Sequence, residues 1–80
     1  MELVNLTEYL VKELLPNEEK ISVKQIDSEG DIVIQVLVPN ECMSIVIGKS
    51  GKIANSIRTI VQAAAYTKKI GRVRINIDSL

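Results

Sequence analysis

Leu3, Leu6, Leu10 and Leu14 recur at helical spacing, with Val4, Val11 and Leu15 beside them. The pattern predicts an amphipathic helix that Pro16-Asn17 ends, and its apolar stripe requires a surface to cover. Residues 20 to 26 (Lys-Ile-Ser-Val-Lys-Gln-Ile) and 31 to 38 (Asp-Ile-Val-Ile-Gln-Val-Leu-Val) are rich in β-branched residues. With the turn-forming Asp27-Ser28-Glu29-Gly30 between them they predict an antiparallel hairpin. Pro39-Asn40 stops the second strand, and Asn40 is placed to cap a short helix running to about Val46. The β-branched Ile45, Val46 and Ile47 make that helix the weakest signal in the chain. From Lys52 to about Lys68 the composition favours a helix, with Ala63-Ala64-Ala65 inside it, a Lys68-Lys69 end that suits the helix dipole, and Gly71 as the expected stop. Residues 72 to 78 then alternate strictly, placing Val73, Ile75 and Ile77 on one face of a strand and Arg72, Arg74 and Asn76 on the other.

The predicted order is helix, strand, strand, helix, turn, helix, strand. A two-helix crossover between the second and third strands favours a parallel pair, which makes the strand at 31 to 38 central. Val33 and Leu37 fit that placement, because they give its second face some apolar character as well. The expected class is α+β, a three-stranded mixed sheet with three helices packed on one face, as a single domain over residues 1 to 80. No repeat, linker or low-complexity segment interrupts it. Eighty residues at 46% hydrophobic and 25% charged content suit one modest core and leave little room for a multi-step enzyme.

The chemistry-bearing stretch is Val46-Ile-Gly-Lys-Ser-Gly-Lys-Ile53, a Gly-x-x-Gly turn between two apolar segments. Gly48 and Gly51 let the backbone reverse and approach another backbone closely, while Lys49, Ser50 and Lys52 set cationic and hydroxyl donors at the tip. That is the outline of a phosphate clamp. It is not a Walker A loop, since that pattern needs glycine where the chain has Met43, and the dinucleotide fingerprint fails on its Gly-x-Gly spacing.

Zero net charge at first argues against a polyanionic partner. However, residues 1 to 47 carry three lysines against nine acids, net −6, and residues 48 to 80 carry seven cations against Asp78 alone, net +6. Positive charge is therefore concentrated in the half that opens at the glycine turn, as a polyphosphate binder requires, although a solvated face clusters charge in the same way. The apolar runs are too short to cross a bilayer and no basic leader precedes them, so a cytoplasmic protein is expected. A single Cys42 and no histidine leave no metal cluster to assemble, and Cys42 reads as a packed small residue. Glu18-Glu19 reads as a loop charge pair, and no nucleophile–base pair is present, so no catalytic residue, cofactor or metal is assigned.

With its glycine turn between two helices and strands on either side, the whole chain resembles the K-homology (KH) domain in its type II arrangement, αββααβ. Its length, the run from Val46 to Arg58 and Val61-Gln-Ala-Ala-Ala65 resemble the bacterial KhpA type, small single-KH proteins that bind RNA. Ala54 stands three positions after the second glycine, where many KH domains have a larger aliphatic residue, and the KhpA-type pattern shares that offset with Ile53 before it. The resemblance implies single-stranded RNA held at Gly48, Lys49, Ser50, Gly51 and Lys52. It implies a groove wall at Ile45 and Ile47 with residues of the central strand; ordinary core is the competing reading for those isoleucines. It further implies an RNA chaperone or post-transcriptional regulator, pairing with itself or with a larger KH protein of the KhpB, Jag or EloR type. Only Tyr9 and Tyr66 are aromatic and neither belongs to the turn, which disfavours an aromatic stacking platform and predicts weak, sequence-tolerant binding.

A second function, of another class, is a protein-interaction subunit. If Ala54, Ile57 and Val61 face the sheet, Ile53, Ile60 and Ala64 share a neighbouring stripe, and Ala63 and Ala64 would let two such helices approach. That stripe is either a dimer interface or, for Ile60, core beneath the first helix.

Overall fold

The computed structural model describes residues 2–28 and 30–80. Helix α1 spans Leu3–Leu14 and buries Leu3, Thr7 and Val11, so its inward face is centred on Thr7, with Leu6, Leu10 and Leu14 half-buried along its flanks. Thr7 tolerates complete burial because its hydroxyl donates to the Leu3 carbonyl at 2.8 Å within the same helix.

Strands β1 (Ser22–Ser28) and β2 (Asp31–Val38) form the antiparallel hairpin. Pairing persists to Ser28 opposite Asp31, so Asp27 and Ser28, expected in the turn, belong to the ladder. A two-residue connection lets the strands pair to their ends, and Gly30 supplies its positive φ of 87°; Glu29 lies outside the described residues. Strand β3 (Val73–Ser79) runs parallel to β2 with Ile34 opposite Ile75, and the sheet order β1-β2-β3 puts β2 at the centre.

Asn40 does not cap the next helix. It opens a 3-10 turn, Asn40–Cys42, entered from the extended Pro39, and one turn of helix α2 (Met43–Ile47) follows directly. Since Asn40 already has helical geometry, it is not in the extended conformation from which a cap side chain reaches back to the helix. Helix α3 (Lys52–Thr67) buries Ala54, Ile57, Val61 and Ala65. Its stop is Lys69, not Gly71: Lys69 takes φ 60°, with Ile70 N–H donating to Ala65 O at 2.9 Å and Lys69 N–H to Tyr66 O at 3.0 Å. These two bonds are the Schellman closure.

The helices meet the sheet on the face carrying Ile34, Val36 and Val38, all fully buried, with Val73 and Ile75 of β3 beside them. Val46 of α2 and Val11 of α1 complete this core. On the opposite face Val33, Gln35 and Leu37 are only half-buried and Lys24, Ile26, Arg74 and Asn76 are exposed. Among the described residues no helix is long and apolar enough to cross a membrane.

Candidate nucleic-acid interface

The glycine turn is built by two different conformations. Gly48 follows α2 at φ 76°, ψ 177°, a region essentially closed to any residue with a Cβ, and its N–H donates to Ser44 O at 3.0 Å. A Cβ placed there would stand 2.6 Å from Ile53 Cγ1 and 2.9 Å from Ile53 Cβ. Half-buried Ile53 thus packs directly on the bare glycine backbone. Ser50 at the apex is left-handed (φ 57°, ψ 27°), as is Gly51 (φ 74°, ψ 12°), which opens α3. No side chain caps α3, so the amides of its first turn lack a side-chain acceptor beside the exposed Lys49, Ser50 and Lys52. The positive end of a 16-residue helix and two lysines suit an anionic oxygen.

Ile45 is 47% exposed and Ile47 half-buried, while Val46 between them is fully buried. The central strand does not form an open wall: its helix-facing residues are covered, and the concave surface lies one strand further on. A groove of about 710 Å³ runs between α3 and the free edge of β3, lined among others by Arg58, Gln62, Tyr66, Arg72, Arg74 and Asn76. Its floor is closed by side chains that satisfy the strand edge. Arg58 Nε donates to Ile75 O at 3.3 Å and its Nη1 to Asn55 Oδ1 at 3.1 Å. Gln62 donates through Nε2 to Gly71 O at 2.8 Å and accepts Val73 N–H at 3.0 Å.

Lys52, Asn55, Thr59, Gln62 and Tyr66 follow one another at i, i+3, i+7, i+10 and i+14, a single stripe that joins the glycine turn to this groove. That spacing, with the alternation of Arg72, Arg74 and Asn76, was the signal available in the sequence for the groove residues not assigned from it. What the sequence lacked was the sheet edge that turns a helix stripe and a strand into two walls. Ala63 lies on the groove side with Thr59 and Tyr66, apart from Ile60, which is 46% exposed, and the half-buried Ile53 and Ala64.

Charge follows the same division. β1 and β3 occupy opposite edges, with α1 packed near the first and α3 on the second. Of the basic residues from Lys49 onward, Arg58, Arg72 and Arg74 line the β3 side, whereas Lys68 lies beside Glu2, Leu3 and Gln25. Among the described residues the one ion pair is Lys12–Glu8 at 3.2 Å on α1, which leaves the groove cations free of carboxylate partners there.

Cys42 is buried, and its thiol donates to Glu18 Oε1 at 3.6 Å while Glu18 Oε2 accepts the Lys20 N–H at 3.0 Å. Burial, then the hydrogen bond to Glu18 and the charges of Glu18 and Glu41, push the thiol pKa above its ordinary value. Glu18 is a clasp between the segment after α1 and the 3-10 turn, and Cys42 is held as an unreactive thiol. No cluster able to hold a metal occurs among the described residues.

An αββααβ chain whose last two helices are joined by a Gly-x-x-Gly turn is a type II KH domain. The chain belongs to the KhpA/KhpB KH-domain family, whose model matches residues 4–77. It is 41% identical over 64 residues to the RNA-binding protein KhpA of Caldanaerobacter subterraneus subsp. tengcongensis, covering 80% of this chain and 85% of that one. It is 39% identical over 70 residues to the RNA-binding protein KhpA of Aquifex aeolicus, covering 88% and 86%. The crystal structure of Aquifex aeolicus Era bound to GDP.AlF4- superposes with a TM-score of 0.63 at 18% identity, over all of this chain and 32% of that one, a likeness of fold alone. KH RNA-binding proteins are a non-catalytic class.

Proposed function

We propose that this protein binds short single-stranded RNA non-catalytically, with phosphates on the Gly48–Gly51 turn and bases along the α3–β3 groove, and acts as an RNA chaperone or post-transcriptional regulator in the cytoplasm. The observation that carries this reading is the turn itself. Gly48 holds a glycine-only conformation against Ile53, which sets Lys49, Ser50 and Lys52 outward at the uncapped start of α3, at the head of a cation-lined groove. Ile45 and Ile47 stand beside the turn as its apolar shoulder. The experiment is the double substitution Lys49→Asp with Ser50→Asp. Both residues are exposed, so two added carboxylates repel phosphate while leaving the core intact. Fluorescence anisotropy with short single strands is expected to show binding lost at native circular dichroism; unchanged affinity overturns the assignment.

A second reading, compatible with the first, is favoured by the exposure of Ile60. Ile53, Ile60 and Ala64 form an apolar stripe on the flank of α3 away from the groove, with Ala63 on the crest between the two. This stripe pairs with a second copy of the chain or with a KhpB/Jag/EloR-type KH protein, since an isologous two-fold contact buries such a stripe on both partners at once. The match to a family that joins KhpA and KhpB supports that choice of partners.

A further inference from the structure

Tyr66 sits in the last turn of α3, on the wall of the groove, and is 64% exposed. Two polar side chains of the α3 wall, Arg58 and Gln62, are already committed. The Arg58 guanidinium is engaged by Ile75 O and Asn55, and both ends of the Gln62 amide are engaged by the strand edge at Gly71 and Val73. What remains open is the tyrosine ring, with the exposed Arg72 just before β3 and Arg74 and Asn76 on it.

We infer that Tyr66 is a base-stacking residue at the distal end of the groove, holding one nucleobase by its π-face while the arginines hold its phosphate. The inference rests on the RNA-binding reading above and names how its far end is held. A ring takes any base, in order of stacking strength, so the stacking contact is tolerant of sequence and favours purines. Its distance from the turn gives it a length signature. Fourteen residues of helix separate Lys52 from Tyr66, roughly 21 Å at about 1.5 Å per residue. A strand anchored on the glycine turn must therefore run several nucleotides before its base reaches the ring. Dinucleotides bind through the turn alone.

The test uses the full chain with Tyr9→Phe, which leaves Tyr66 as the sole tyrosine in a protein without tryptophan. Oligoadenylates of two to eight nucleotides are titrated by anisotropy and by tyrosine emission. The expected result is that affinity rises once the strand is long enough to reach Tyr66, with tyrosine quenching along the same isotherm. Tyr66→Phe retains the gain, and Tyr66→Ala loses roughly 5- to 150-fold for the long strands with no change for the dinucleotide. An abasic site at the quenching position weakens binding to the wild type but not to Tyr66→Ala. Binding of long strands without quenching, and with equal affinity for wild type and Tyr66→Ala, overturns the stacking role while leaving the clamp intact. If no strand binds at all, both readings fail together.

Discussion

Gly48 and Gly51 look equivalent in the Gly-x-x-Gly motif, yet the turn asks different things of them. Gly48 needs a missing Cβ twice over, for its glycine-only dihedrals and for Ile53, whose β-branched side chain has little rotamer freedom in a helix with which to retreat. Gly51 needs only a left-handed residue, and the nearest atom to a Cβ there is Asn55 Nδ2 at 4.0 Å. Gly48→Ala is therefore expected to lose about 2 to 4 kcal/mol of stability, and Gly51→Ala about 1 kcal/mol, measured by urea denaturation. Equal losses would mean that Ile53 does not pack as described. Cys42 gives a pH-dependent counterpart. Its folded pKa lies above the ordinary 9.0, so above that value the folded chain keeps a proton that the unfolded chain has lost. The thiol's contribution is complete below pH 9.0 and declines as pH rises through the folded value. Cys42→Ala should remove that part of the alkaline loss of stability, and alkylation of the native thiol should remain slow until the protein is unfolded.

Helix α3 has three distinct flanks. Its buried flank, Ala54, Ile57, Val61 and Ala65, meets the core; the stripe from Lys52 to Tyr66 faces the groove; Ile60 lies on the remaining side. The sequence pattern had the inward flank right at Ala54, Ile57 and Val61, and left Ile60 open between core and interface. Periodicity gives a direction on the helix but not the width of what covers it. At 46% exposure, Ile60 is not a core anchor in the isolated chain. Ile60→Lys should therefore leave the fold and its unfolding midpoint nearly unchanged and yield a monomer by light scattering. Wild-type protein that is itself monomeric at high concentration, alone and with a KhpB-type partner, would dismiss the interface reading. The helix end carries a similar lesson, because a lysine in left-handed geometry closes α3 two residues before the glycine that looked like the stop. Gln62, bonded to Gly71 O and Val73 N, pins the short loop that follows.

Across the whole molecule, the acids of α1 lie toward the β1 edge of the sheet, and Arg58, Arg72 and Arg74 of the basic half lie at the β3 edge. On the binding reading proposed above, an acidic side built on α1 and β1 would repel polyanions and leave the β3 side as their approach, orienting the encounter without adding to net charge. Only a few cations border the strand's path, so affinity should fall with salt at a log–log slope of roughly −2 to −4, at about −0.7 per phosphate contact on a single strand. A salt-independent affinity would mean that the basic half is not the binding face.

The sequence by itself determined the order of elements, the parallel pairing of the last strand through a two-helix crossover, and the glycine turn with its lysines. Each of these is written in local spacing: 3.6-residue and two-residue periodicity, or glycines three apart. Tertiary structure alone decided which strand forms the groove. Residues of the central strand were expected in the wall with Ile45 and Ile47, but a strand with neighbours on both sides and helices above it has no edge to offer, whereas β3 has one. It also decided that Arg58 and Gln62 are spent on that edge and that Tyr66 is left facing the groove. Those roles depend on which backbone groups remain unpaired after the sheet has formed, and unpaired edges are set by contacts between residues far apart in the chain.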